Sequence, residues 1–415
     1  MSRKEKILFI LIQLFFIAII FPYNDIITGF ITGGMMLCCV LFNSFKEKLA
    51  LLKERKYILW MISFFAWIFL SIFLSKDTYE GFRALDPRLP LLYFPVTIGL
   101  IKISKLLKER LLLGFAVITT VFCLACLIWS INNYIKSGNV DYLYSDAITA
   151  LADQQSAYIS LMVNFSIYIY VWLFFFKSYR FRLLFIPAII FLFIISYMLA
   201  GRNMMIVLYI STFVFVILYI FQRKKYLEGA ALAIALGIGC FTVFTFFPKT
   251  INRFKDFVYT QYDFKHEGPE SSYSKATTPD QWNGTNFRLA AWRCGWELFK
   301  QYPLTGVHLG DKRSKLIEKY KEKDFQFAIK TNKNVHNNYL DTLFGTGIAG
   351  FFLFLTGWLI LPFRRVLANK DYLSLLIIIT FAIAMVTEVY FDRTLGGVLF
   401  GFFIPFLLAD KKRDH

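Results

Sequence analysis

Patterns that hold metals are missing from this chain. Only four histidines occur in 415 residues, His266, His308, His336 and the last residue His415. None forms a His-x3-His pair and no clustered carboxylates join them in a polar stretch, so no metal site is expected. Six cysteines are present, yet Cys38, Cys39, Cys123, Cys126 and Cys240 lie in apolar runs, where a thiol behaves as a small hydrophobe. Cys123-Leu-Ala-Cys126 has the spacing of a redox or metal motif, but no second ligand pair accompanies it. Cys294 stands alone in polar sequence and offers no disulfide. Acidic residues are scarce, 28 against 46 basic ones, which gives a formal charge of +18. Such an excess suits nucleic acid only if it is clustered, and here it is spread over short loops between apolar runs. No internal repeat and no matched pair of Gly/Pro-broken apolar segments stands out, which weighs against a repeat-built transporter. No cofactor is expected.

Long apolar runs are what the chain has in abundance. Hydrophobic residues make up 57% of it, with a mean hydropathy of +0.53, 48 Phe and 23 Tyr. That composition fits a polytopic membrane protein. Twelve segments approach the length needed to cross a bilayer: 7–22, 26–43, 57–74, 90–103, 111–131, 155–176, 183–200, 204–221, 230–248, 338–361, 372–390 and 396–409. Backbone groups in lipid must be satisfied internally, so these segments are expected to be helices and the fold all-α. Arg3, Lys4 and Lys6 before Ile7–Phe21 resemble the start of a signal sequence. The run passes into Pro22 without a small-x-small cleavage site, so it reads as a retained first span.

Orientation follows from the basic residues. Twenty-four Lys and Arg fall on the termini and alternate loops, and six on the opposite short loops. By the positive-inside rule both termini are expected in the cytoplasm. The segment 249–337 holds the other sixteen and is expected on the outer side, a large, partly helical periplasmic loop between membrane parts 1–248 and 338–415. Within it, Gly268–Gly284 is polar and turn-rich. A helix is expected over Phe287–Gln301, capped by Thr285 or Asn286, with Leu289, Trp292, Trp296 and Phe299 as its apolar positions. Pro303 stops it, a glycine-rich turn covers Leu304–Asp311, and Lys312–Lys333 reads as a second, exposed helix.

Three residues stand out for chemistry. Arg202 lies in a short outer turn between two apolar runs, a place where positive charge is depleted; its plain alternative is an anchor that snorkels to water. Arg288 falls in the first turn of the outer helix, where the dipole favours anions, so it makes sense if an anion is shared between the guanidinium and backbone N–H groups. Arg293 lies on another face and reads as a solvated charge. His336 stands where the outer segment re-enters the membrane, beside Asn337 and Asn338, whose side chains are placed to fix its tautomer. A neutral imidazole there can take a proton from a hydroxyl. His308 reads equally as loop or site, and His266 as solvated. Guanidinium forks bind diphosphates through paired charge-assisted bonds. Arginines plus one proton acceptor at the outer face thus suggest sugar transfer from a lipid diphosphate, with the arginines stabilising the leaving group.

The same residues resemble a family. Gly201-Arg202, then Asn286-Phe-Arg288 with Trp292, Pro303-Leu-Thr-Gly306-Val, His336-Asn337-Asn338-Tyr339-Leu340 and Gly345-Thr-Gly347-Ile-Ala-Gly350 are similar, in order and spacing, to the O-antigen ligase/polymerase superfamily of bacterial envelope glycosyltransferases, and most closely to the O-antigen ligases. The resemblance implies transfer of a polysaccharide from undecaprenyl diphosphate to a lipid A–core sugar, with inversion and without metal, in the bacterial inner membrane. It implies Arg202 and Arg288 as the key arginines and His336 as the base. Relatives commonly carry Gly-x-Gly where this chain has Gly306-Val307-His308, so His308 is a second candidate, though the His-Asn context favours His336. Arg83, Arg88 and Asn337 are further candidates for diphosphate or saccharide contacts, solvated loop charge being the alternative for both arginines. Within the superfamily the rivals are the polymerases and protein O-oligosaccharyltransferases; outside it, a transporter using Arg202 and Glu388 in a central pathway.

Overall fold

A computed structural model describes residues 1–21, 25–224, 226–246, 254, 256–271 and 278–409. The start of the polar segment at 249–253, part of the turn-rich stretch before Gly284 and the basic tail Lys411–Arg413 lie outside them. All regular structure among the described residues is helical, as the apolar runs require. In chain order the helices are α1 (Arg3–Ile20), α2 (Asp25–Phe42), α3 (Phe45–Glu54), α4 (Tyr57–Ile72), α5 (Thr78–Leu85), α6 (Pro90–Thr97), α7 (Lys105–Ser137), α8 (Ser156–Phe176) and α9 (Phe185–Met198). They continue with α10 (Arg202–Arg223), α11 (Tyr226–Phe246), α12 (Asn286–Gln301), α13 (Lys312–Glu322), α14 (Gln326–Thr331), α15 (Asn338–Phe354), α16 (Leu361–Ala368), α17 (Tyr372–Ala384) and α18 (Thr394–Leu407). Each of the twelve expected apolar segments is therefore helical over most of its length. Among the described residues, three helical stretches are long and apolar enough to cross a membrane: Lys105–Ser137, Ser156–Phe176 and Asn338–Ala368. Tyr57–Ile72, Pro90–Leu100, Arg182–Met198, Tyr372–Ala384 and Thr394–Leu407 are apolar but shorter, and α2 with α3 is bent by 90° at a break.

The chain divides into two compact units. The first comprises Met1–Ile118, Tyr262–Glu267 and Arg288–His415; the second comprises Thr119–Gln261 and Gly268–Phe287. In the first, α1, α6 and α18 meet around a cluster of phenylalanines. Phe15 and Phe94 lie 5.7 Å apart between ring centroids, and Phe16 and Phe402 5.2 Å, both at the edge-to-face angles that aromatic quadrupoles favour. Arg55 is buried beside this core and donates to the carbonyls of Gly99, Ile101 and Ala409 at 2.6, 2.9 and 3.1 Å. It closes carbonyls that helix ends would otherwise leave open in an apolar surrounding. In the second unit, α8 packs on α9 and α10, and Asn164 Nδ2 donates to the Met204 carbonyl at 2.9 Å.

One feature of the first unit breaks the regular pattern. Gly347, inside α15, has φ +68° and ψ −175°, a conformation open in practice only to glycine. The break strands backbone groups that lipid could not satisfy. Chain from the polar segment supplies the partners: the Ile348 amide donates to the Pro303 carbonyl at 2.9 Å, and the Val307 amide donates to the Phe344 carbonyl at 2.8 Å. Gly306, at φ +71°, lies so close to Gly345 and Gly347 that a side chain there would strike their backbone. The motif Pro303–Val307 is thus shaped to fill a broken helix.

The polar segment departs from expectation in three places. Asn283 caps α12, its Oδ1 accepting from the amides of Thr285 and Asn286 at 2.7 and 3.0 Å. The helix buries its small face, Ala290, Ala291, Cys294 and Gly295, and leaves Trp296 exposed. Small residues let it approach α15 closely enough for Gly295 to touch Leu340. Finally, Lys312–Lys333 forms two helices rather than one. Asp324 turns left-handed at φ +54°, and Phe325 folds back to stack edge-on against Tyr320 at 5.3 Å.

Candidate active site

His336 is placed by its own short loop. Asn334 Oδ1 accepts from the His336 amide at 2.9 Å, and His336 itself takes φ +45°. Two residues later α15 begins, with Asn337 as its N-cap accepting from the Leu340 amide at 3.0 Å. Asn338 reaches the connection between α17 and α18: its amide donates to the Met385 carbonyl at 2.8 Å, and its Oδ1 accepts from the Phe391 amide at 3.2 Å. Neither asparagine orients the imidazole through any of these bonds. Glu388 does, lying on that connection with Oε2 3.2 Å from His336 Nδ1.

Arg288 joins the same place. From the first turn of α12 its Nε donates to the Thr387 carbonyl at 3.1 Å, one residue before Glu388. Glu388 therefore stands between the His336 ring and the carbonyl that holds Arg288. An ionised Glu388 accepts from Nδ1–H of His336. That puts the imidazole lone pair on Nε2, the arrangement a general base needs.

A second, largely buried charge cluster lies in the same unit. Asp392, four residues beyond Glu388, accepts from Arg88 at 2.6 Å and from Lys312 Nζ at 2.8 Å. Lys312 also meets Asp341 at 2.8 Å, and Asn334 Nδ2 donates to the other oxygen of Asp392 at 3.1 Å. Lys312 and Arg88 overcome the burial that would otherwise raise Asp392, and hold its carboxyl well below the ordinary range. Beside the cluster is a cavity of about 20 Å³, room for one water molecule. Arg88 is thus no solvated loop charge: its side chain is 4% exposed. Arg83, paired only with Glu80 on its own helix, is 73% exposed.

The remaining candidates fall elsewhere. His308 sits at φ +66° in the glycine turn, a conformation that explains why glycine suits this position. Burial pushes its imidazole down from the ordinary value, so it is neutral at pH 7. The turn is fixed to the end of α4: the Gly310 amide donates to Ser75 Oγ at 3.0 Å, and Asp311 accepts from the amides of Lys76 and Asp77. Arg293 is exposed and pairs with Glu297 at 3.3 Å on its own helix. Arg202 belongs to the second unit, where it pairs with Asp256 at 2.8 Å and lies over the Phe257 ring. The first unit therefore brings together Arg288, His336 and Glu388. The sequence alone offers Glu388 as a transport carboxylate or an interfacial charge, because a partner 52 residues away carries no local signal.

Comparison with known proteins gives this cluster its context. Residues 187–355 match the family model described as O-antigen ligase. That match covers less than half of the chain. That stretch contains Arg202, Arg288, His308 and His336, while Glu388 lies beyond it. Among curated proteins, none matches the chain.

Proposed function

We propose that this protein is an O-antigen ligase-like glycosyltransferase, moving a polysaccharide from undecaprenyl diphosphate to a hydroxyl of lipid A–core. The observation that carries the reading is the contact of Glu388 with Nδ1 of His336, one residue from the carbonyl that holds Arg288. In the reaction, His336 Nε2 takes the acceptor hydroxyl proton as that oxygen attacks the anomeric carbon. The bond from that carbon to the diphosphate oxygen breaks, its electron pair leaves with the lipid diphosphate, and the configuration inverts. Arg288 stabilises the charge that develops on the leaving group. Arg202 takes the same task from its place in the motif order. With charge supplied by arginines the step as written calls on no metal.

The reading implies an inner-membrane protein of about twelve spans, both termini cytoplasmic and residues 249–337 periplasmic. The basic-residue asymmetry supports that orientation. The site favours ligase over transporter, because Glu388 is engaged by a histidine. A free proton-coupled carboxylate would look different. Polymerases of the superfamily generally have a second sizeable outer loop, whereas Asn132–Gln154 here is modest; that favours the ligase. A deletion strain tests the reading. Full-length polysaccharide is expected to accumulate on its lipid carrier while lipid A–core stays bare; core bearing a single repeat unit would point to a polymerase and overturn it.

A further inference from the structure

The side chain of Asn334 touches two groups at once. Its Oδ1 holds the His336 amide at 2.9 Å, and its Nδ2 holds Asp392 Oδ2 at 3.1 Å. The first bond closes the turn that puts His336 at φ +45°, which few non-glycine residues adopt without local support. The second ties that turn to a carboxylate whose other oxygen is fixed by Arg88 and Lys312. Asp392 and Glu388 share one connection between α17 and α18. The imidazole and its backbone are thereby held from two points of the same short segment, one through Glu388 and one through Asn334.

We infer that Asn334 is a positioning residue for His336, with Asp392 and the two buried cations as its anchor. The inference rests on the glycosyltransferase reading for its catalytic meaning, but not for its geometry. An amide is the side chain that fits, since one atom must accept from an N–H while the other donates to a carboxylate. Aspartate would keep the first bond and set two carboxylates against each other. Alanine would lose both. The cluster of buried Arg88, Lys312 and Asp341 with half-buried Asp392 then has a purpose beyond holding helices together: it is the rigid base from which the imidazole is aimed.

The test uses the full chain in its membrane, with two readouts. The first is the rate at which diethyl pyrocarbonate labels His336, read by peptide mass spectrometry with His266 as internal reference. The second is kcat and KM for sugar transfer. Asn334→Ala is expected to raise His336 labelling several-fold relative to His266, and to lower kcat about 10- to 100-fold with KM for the donor unchanged. Asn334→Asp combined with Asp392→Asn restores a donor and an acceptor between the two positions, and is expected to bring labelling back towards wild type. Unchanged His336 labelling in Asn334→Ala overturns the inference, whatever transfer does. Altered labelling with transfer indifferent to His336→Ala would sustain the positioning role and sink the glycosyltransferase reading instead.

Discussion

Glu388 Oε2 lies 3.2 Å from His336 Nδ1, joining the end of the polar segment to the turn that links the last two helices. A carboxylate in that position fixes which ring nitrogen carries the proton. Glu388→Gln keeps the shape and removes the charge. On the proposed mechanism it is expected to lower kcat for sugar transfer by about 10- to 100-fold, less than the loss on removing the base itself. Steady-state kinetics in reconstituted membranes check it. A kcat within twofold of wild type, on the order of measurement error for such assays, would remove Glu388 from the mechanism.

The two exposed-looking arginines before α6 should behave differently. Arg88→Ala leaves Asp392 and Asp341 short of a buried partner and is expected to destabilise the protein by about 3–5 kcal/mol. Arg83→Ala, at an exposed position, should stay within about 0.5 kcal/mol of wild type. Thermal unfolding in detergent separates them; equal effects would contradict the burial of Arg88.

Much of the fold was legible because apolar runs long enough to matter in a bilayer declare themselves. The positions of all twelve appear as helices. What the runs conceal is where a helix breaks, since Gly347 reads as one small residue in an apolar stretch. The face of α12 was misjudged for a related reason. Large apolar residues such as Trp296 look like core, yet close helix approach selects Ala290, Ala291 and Gly295. Arg288 and His336 were legible from their places at a helix start and a membrane boundary. For Arg88 the sequence leaves a saccharide contact and a solvated loop charge side by side, because its partner Asp392 is 304 residues away and nothing local marks the pair.

Gly347 offers a sharp check on the broken helix. Alanine there would strain the backbone by about 1–3 kcal/mol and also strike the Leu304 carbonyl. Gly345→Ala would meet only the flexible Lys312 side chain, at 3.2 Å from its Cδ. Gly347→Ala is therefore expected to lower Tm in detergent far more than Gly345→Ala. The reverse order would mean α15 runs unbroken.

Acid should unfold this protein by a route set by Asp392. Its carboxyl sits below the ordinary range in the folded state, held there by Lys312 and Arg88 against burial. It contributes stability that is fully present above its unfolded value, about pH 4, and is lost as pH falls through the lower folded value. Tm is expected to be nearly flat down to about pH 5 and to fall below it, with a shallower fall in Asp392→Asn. A Tm that rises on acidification would contradict the pairing of Asp392 with the two cations.

The central claim concerns His336 as the base, and one measurement reaches it most directly. Purified protein in lipid vesicles is given a glycan on undecaprenyl diphosphate and a lipid A–core acceptor, and product is counted for wild type and His336→Ala at equal membrane insertion. The account predicts that transfer falls by about 10²- to 10⁴-fold in the variant, with EDTA leaving the wild type unaffected. Transfer that survives in His336→Ala would contradict it.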